Sequence, residues 1–439
     1  MRTTVITSIG FILLLHGCGE SSSGPGEATE FTTAAVVSAA TSNGAAPMFT
    51  VTSNGARVLS WVADGGGDAG GTGALHFQVG AGSGEITSVL TDPLGGIEPH
   101  GEGPPQIAAG PDGSLHALYV VGKDVGARFP KSALRYARSL DEGRSWSEPV
   151  SINEGEQFGS HNFHALLAGP DGSVYASWLS SNGNDDSSGV WLRASRDGGM
   201  TWEPSHPIYS GPTCPCCRTA LALTTDGTLL AAWRKIFDDN VRDIVVMTSR
   251  DGGASWTEPG KPRDDGWSFP GCPHAGPSMK VDAGGVAHIA WWTGKAGEAG
   301  VRHARSTDGG GTWTSQPIDI GERSSPAHVQ LAVSPSGSVV VAWDDGKSAT
   351  PGVLIRESSD GGVTFSATVR LSDPGVAATF PVLAMQHDSL TVAWTQVADS
   401  AYRAAMAARP DMRDPTARLP LPRVGQQEIW ARSASRKRE

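Results

Sequence analysis

The 439-residue chain is short of positive charge, with 34 Lys and Arg against 45 Asp and Glu and a net charge of −11. Its basic residues are dispersed, apart from the terminal SASRKRE. A nucleic-acid backbone needs a clustered cationic surface, so no nucleic-acid partner is expected. Cysteine is scarcer still, five in all, yet three of the five fall in four positions: Cys214, Cys216 and Cys217. The N-terminal apolar run, from Val5 to Leu15, is too short for a membrane span, which takes about 20 residues. With Arg2 before it, the run reads as the core of a signal peptide.

The residues that end that run, Leu15, His16, Gly17 and Cys18, resemble a bacterial lipobox. The resemblance implies a signal peptide over residues 1–17, cleavage before Cys18, and lipid attachment to Cys18. Residue 19 is glycine and not the aspartate of an inner-membrane retention signal. The expected address is therefore the cell envelope, extracytoplasmic and membrane-bound through the lipid, at the outer membrane in a diderm cell. Residues 18–44 begin as a flexible tether, GESSSGPGEATE, because small polar residues bury no core. EFTTAAVVSA at its end is a candidate ring-closing strand. At the other end, residues 426–439 read as a solvated basic tail.

Self-similarity dominates what lies between. SLDEGRSW, SRDGGMTW, SRDGGASW, STDGGGTW and SSDGGVTF begin at residues 139, 195, 249, 306 and 358 and share one pattern, Ser-x-Asp-x-Gly-x-Ser/Thr-aromatic. Asp141, Asp197, Asp251, Asp308 and Asp360 can each accept turn N–H groups, the glycines permit positive φ, and the aromatic can pack under a hairpin. A second repeat runs in seven copies, from NGARVLSW to HDSLTVAW. Each copy closes on an aromatic: Trp61, Tyr119, Trp178, Trp233, Trp291, Trp343 and Trp394. Two hairpins per unit give four antiparallel strands.

The five boxes closely resemble the Asp-box, or bacterial neuraminidase, repeat of the sialidase superfamily. The resemblance implies an all-β propeller over residues 45–425. The second repeat sets its blades at seven, with six, the number in sialidases, as the alternative. The box is a turn staple and does not by itself specify an activity.

Strands of a blade alternate in direction, so the Asp boxes and the short Asp-Gly turns share one face, which is scaffold. Irregular segments rich in Gly, Pro, His and Cys collect on the other face, where a functional rim belongs. His161, His164, Arg218, Arg234 and Arg242 are ligand-binding candidates there, for a small molecule, a glycan or a protein. His116 and His288 lie within strands and read as structural.

Cys214, Cys216 and Cys217 open the fourth blade and Cys272 opens the fifth. One reading is two disulfides. Adjacent Cα atoms lie about 3.8 Å apart, too close for an unstrained Cys216–Cys217 bridge, so the easier pairing is Cys214–Cys217 with Cys216–Cys272. A second reading is a Cu(I) or Zn(II) site made by these four with His274. A redox dithiol is the third.

Sialidases clamp a substrate carboxylate with three arginines and use a tyrosine nucleophile with acidic partners. Their Phe/Tyr-Arg-Ile-Pro motif is missing here, and the first-blade segment NGAAPMFTV has no arginine. Tyr402 and Arg403 are the one remnant of the nucleophile and an arginine, against an ordinary strand for AYRAAMA. Asp344, beside Asp345, is a weak acid/base candidate. A non-typical member that binds through its Cys/His-rich rim is the expected function, with an exo-α-sialidase or related glycoside hydrolase as the alternative.

Overall fold

The structure, a computed structural model, describes residues 29–38, 41–64, 73–80, 87–123, 131–181, 188–321, 327–347, 349–386, 389–408 and 426–435. Cys18 and the degenerate last box RPDMRDPT lie outside the described residues. Seven antiparallel sheets follow one another along the chain. Their innermost strands are Ser42–Val51, Gln106–Ala109, Ser160–Ala168, Ala220–Leu223, Ser278–Val281, Val329–Val333 and Val376–Gln386. Each neighbours the next, and the seventh neighbours the first, so the sheets form a closed ring of seven blades. Six blades have four strands. The fourth has three, and its outer position is held by two isolated bridges, Val246–Gly260 and Val241–Ser268.

The ring closes with strands from both chain ends. In blade seven, Ala35–Val36 is outermost and pairs with Glu428–Ser435, which pairs with Ser389–Ala398. Phe31 bridges Ala434, and Ser38 Oγ accepts the Ile429 N–H at 2.8 Å. The N-terminal strand thus lies where the sequence suggested. The tail over 426–439 is corrected: its first part, EIWARSAS, is the third strand of a blade, with Ile429 and Ala434 buried. Composition grouped it with the basic RKRE that follows, whereas its apolar residues have a sheet face to fill.

The core lies between blades. Seven apolar clusters occupy the seven interfaces, one each. The repeat aromatics Trp61, Tyr119, Trp178, Trp233, Trp291, Trp343 and Trp394 are all at most 1% exposed. Each removes roughly 150–250 Å² from water, or about 4–6 kcal/mol before conformational entropy is charged against it. The box aromatics Trp146, Trp202, Trp256, Trp313 and Phe365 wedge into the cleft toward the preceding blade. Trp146, for example, stacks on Phe77 of blade one at 4.4 Å and donates to Ser88 Oγ. The staple therefore acts between hairpins as well as within one.

Within each box the wiring repeats. Asp197 Oδ1 accepts the Thr201 N–H at 2.9 Å and the Ser195 hydroxyl at 2.8 Å, while Ser195 Oγ accepts the Gly199 N–H at 2.8 Å. The hydroxyl at the Thr201 position, then the Thr201 N–H, hold the Asp197 carboxyl down at about 2. Gly199 has φ of +78°, and a Cβ there would overlap the Tyr136 hydroxyl of the preceding blade, so only glycine serves. Gly198 of this box donates to Gly172 O of an Asp-Gly turn at 3.2 Å, which places both turn types on one face.

Removal of residues 1–38 is expected to lower Tm by several degrees and promote aggregation, because it strips the outer strand from blade seven. Removal of residues 1–28 alone should do neither. Equal melting of the two truncations would refute the closing role of Ala35–Val36.

Candidate functional site at the channel mouth

The fourth blade opens with a segment that first runs beside its own second strand. Cys214 N donates to Arg234 O at 2.9 Å, and Ile236 N donates to Pro212 O at 3.2 Å. Pro215, whose ring presets φ for a turn, then reverses the chain, and Thr219 N hooks onto Phe163 O of blade three at 2.9 Å. The turn folds three cysteines inward. Cys214 and Cys217 are fully buried and Cys216 is 4% exposed. Their sulfurs lie within 4.8 Å of one another, with Cys214 Sγ 3.7 Å from Cys216 Sγ and 3.5 Å from Cys217 Sγ. All four described cysteines are free thiols, and Cys272 is exposed.

Polar groups surround this cluster. Arg242 Nη1 donates to Cys214 Sγ at 3.2 Å, and Ala275 N donates to Cys217 Sγ at 3.4 Å. Hydrogen bonds from Cys216 and Cys217, then the Arg234 and Arg242 charges, hold the Cys214 thiol well below its ordinary range against the opposing effect of burial. Burial pushes Cys216 and Cys217 up. The Cys272 thiol is lowered chiefly by its contact with Cys216. The structure thus brings together both halves of the pairing Cys214–Cys217 and Cys216–Cys272.

His274 does not join the sulfurs. It takes positive φ, +50°, and its ring lies 5.9 Å from His100 and 6.2 Å from Phe163. The metal-ligand set is corrected accordingly: sequence proximity to Cys272 does not fix direction once the backbone turns between them. His164 is buried, donates its Nε2–H to Leu118 O at 3.0 Å, and is depressed to about 4 by burial. Its Nδ1 is buried without a partner among the described residues, as is His161 Nε2, while His161 Nδ1 meets Ser180 Oγ at 3.3 Å.

The arginines named from sequence are committed to protein partners. Arg234, 1% exposed, donates to Ala275 O, Arg242 O and Trp292 O and lies over the Trp267 ring. Arg242 donates to Phe269 O and Cys214 Sγ. Arg234 has no carboxylate-clamping role left, since all three of its guanidinium nitrogens donate to backbone carbonyls. Arg218 donates to Glu102 Oε2 at 2.8 Å and to Val329 O at 2.6 Å. Tyr402 and Arg403 lie in a nine-residue helix, Asp399–Ala407, between the second and third strands of blade seven, so neither the strand nor a nucleophile clasp is found. Arg403 is exposed and pairs with Asp399 one helical turn back.

Glu102, which the sequence reading passed over, is the centre of the mouth. It is 1% exposed and accepts the Arg218 guanidinium, the Arg218 N–H and the Gly276 N–H. Gly276 is required there, because a Cβ would lie 2.5 Å from Arg218 O. Burial pushes the Glu102 carboxyl up, and Arg218, His328 and the two N–H groups oppose the push. Next to it, Asp344 grips His328: Oδ2 accepts the Nδ1–H at 2.6 Å and Oδ1 accepts the backbone N–H at 2.7 Å. The Phe380 N–H also donates to Asp344 Oδ2, and the Phe380 ring lies 3.9 Å from the imidazole. Burial would lower the His328 imidazole, but Asp344 first and then Glu102 raise it above its ordinary value. A small pocket opens here, walled by Pro47, Pro104, Phe380 and Val382, with His328 and Gln330 among its polar lining.

Residues 88–265 match the BNR repeat-like domain. No curated protein is similar to the chain. Among solved structures, a protein of unknown function from Dyadobacter fermentans is 14% identical, covers 93% of this chain and 99% of its own, and has a TM-score of 0.52. Polysaccharide lyase Uly1 is 11% identical over 89% and 90% of the two chains, with a TM-score of 0.53. The Hadza microbial sialidase Hz136 is 18% identical over 73% and 71%, with a TM-score of 0.45. At such identities the likeness is one of fold. The chain is an all-β, seven-bladed propeller, and its residues 88–265 match the BNR repeat-like domain.

Proposed function

We propose that this is a lipid-anchored binding propeller of the bacterial cell envelope, holding a small carboxylate group, such as that of a sugar acid, against His328 at the channel mouth. The observation that carries the reading is the His328–Asp344 pair at the channel mouth. Asp344 holds Nδ1, which leaves Nε2 without a partner among the described residues; the side-chain nitrogen of Gln330 is likewise unclaimed, its oxygen accepting from Ser278. Two donors in an apolar-walled pocket suit an anion, and a raised imidazole carries the charge for it. The Cys/His-rich rim frames the pocket and carries thiols suited to a metal ion. Support for the anchor comes from the lipobox-like residues before Cys18 and the polar tether after it. Binding stands ahead of glycoside hydrolysis because Arg218, Arg234 and Arg242 are bonded internally and Arg403 pairs with Asp399.

Calorimetry with glucuronate should show binding that glucose does not, and His328→Gln should weaken it at least about tenfold, or ~1.4 kcal/mol. The groups facing the imidazole are Asp344, Glu102 and Arg218. Since Asp344 and Glu102 raise it, the charged donor is complete at acidic pH and is lost as pH climbs through the raised value, so affinity should fall across that interval. Equal binding of glucose, or indifference to His328→Gln, removes the reading. A fluorogenic sialoside should remain intact; turnover abolished by Tyr402→Phe would put catalysis in place of binding. In cells, Cys18→Ser should move the protein from the membrane fraction to the soluble one, and continued membrane retention would refute the lipid anchor.

A further inference from the structure

We infer that Cys214, Cys216 and Cys217 form a three-thiolate site for Cu(I), with Cys272 outside the coordinating set. The inference is independent of the carboxylate pocket. Geometry comes first. An ion about 2.3 Å from each sulfur spreads thiolates about 3.8–4.0 Å apart, between tetrahedral and trigonal arrangements. Two of the sulfur pairs in this buried turn already lie 3.5 and 3.7 Å apart and the third lies within 4.8 Å, so an ion enters with a shift of under about an ångström. Ligand number comes second. No imidazole or carboxylate joins the three sulfurs among the described residues. A structural zinc site wants four ligands, whereas a soft monovalent d¹⁰ ion is content with three thiolates.

Three thiolates with Cu(I) carry −2, and two guanidinium groups attend the cluster. Arg242 donates directly to Cys214 Sγ, while Arg234 grips Ala275 O, whose own residue donates its N–H to Cys217 Sγ. The two cations balance a Cu(I) trithiolate and would leave a zinc one positive, inside a site closed to water, where net charge is costly. Loading is ligand exchange: each Cu–S bond forms as a thiol proton leaves to solvent, and no electron moves. Cys272 is exposed and its sulfur is not among the three that lie within 4.8 Å of one another, so it is a neighbour of the site and not a member.

The test uses the mature protein, reduced and anaerobic, titrated with Cu(I) held by a competing chelator and, in parallel, with Zn(II). One Cu(I) per chain, an ultraviolet thiolate-to-copper band and three sulfurs in the X-ray absorption spectrum are expected. Cys272→Ser should leave affinity within about threefold, whereas Cys217→Ser should cost at least about a hundredfold. If Cys217→Ser fails to fold by circular dichroism, Cys216→Ser takes its place. Tighter binding of Zn(II) that depends on Cys272 would overturn the assignment. So would a Cys214–Cys217 disulfide found by alkylation and mass spectrometry of protein taken directly from the envelope. Loss of glucuronate binding in His328→Gln bears only on the pocket, so the two readings fail separately.

Discussion

One buried carboxylate holds the channel mouth together. Glu102 belongs to the segment that opens blade two, and its three bonds go to Arg218 of blade four and Gly276 of blade five. Through Arg218 the same network reaches Val329 O of blade six. A propeller's blades otherwise meet mainly their neighbours, so this ion pair, together with the ring contacts of His274 to His100 and Phe163, registers distant blades across the axis. Removing one partner of such a buried pair typically costs about 3–5 kcal/mol, because the other is stranded without water. Arg218 follows Cys217 directly, and His328 precedes Val329. The thiol turn and the imidazole are therefore both placed by the bonds of Glu102.

Backbone strain collects at the same place. Phe163, His274 and Phe380 all adopt positive φ, between +50° and +55°. The inner strands that contain Phe163 and Phe380 also lose register there, between Asn162 and Ala165 and between Thr379 and Val382. Left-handed conformations of bulky residues cost of order 1–3 kcal/mol each, and persist only where surrounding contacts overdetermine them. Here those contacts are the Asp344 clamp on Phe380 N–H and the ring group of His100, Phe163 and His274. Each bulge turns a side chain from the sheet toward the mouth.

Most of the fold was legible in the sequence. The seven aromatics from Trp61 to Trp394 gave the blade number because each caps the second strand of a blade, a position that must be filled in every copy. The five boxes gave the scaffold face because their hydrogen bonds are local. Local signals failed at Glu428–Ser435, where basic neighbours hid a strand whose partner is at the other end of the chain, and at AYRAAMA, where an alanine-rich run became a helix.

The repeat, the face on which irregular segments gather, and the cluster of three cysteines are legible along the chain, because each depends on residues close together in it. Which side chains meet at the axis follows from the closing of the ring. Glu102 lies 116 residues from Arg218, and Arg218 lies 111 from the carbonyl it binds on Val329. No spacing rule in a single sequence encodes such distances, since ring closure sets them. The same closure consumed the arginines that a substrate clamp would need, and it turned His274 away from the thiols toward His100.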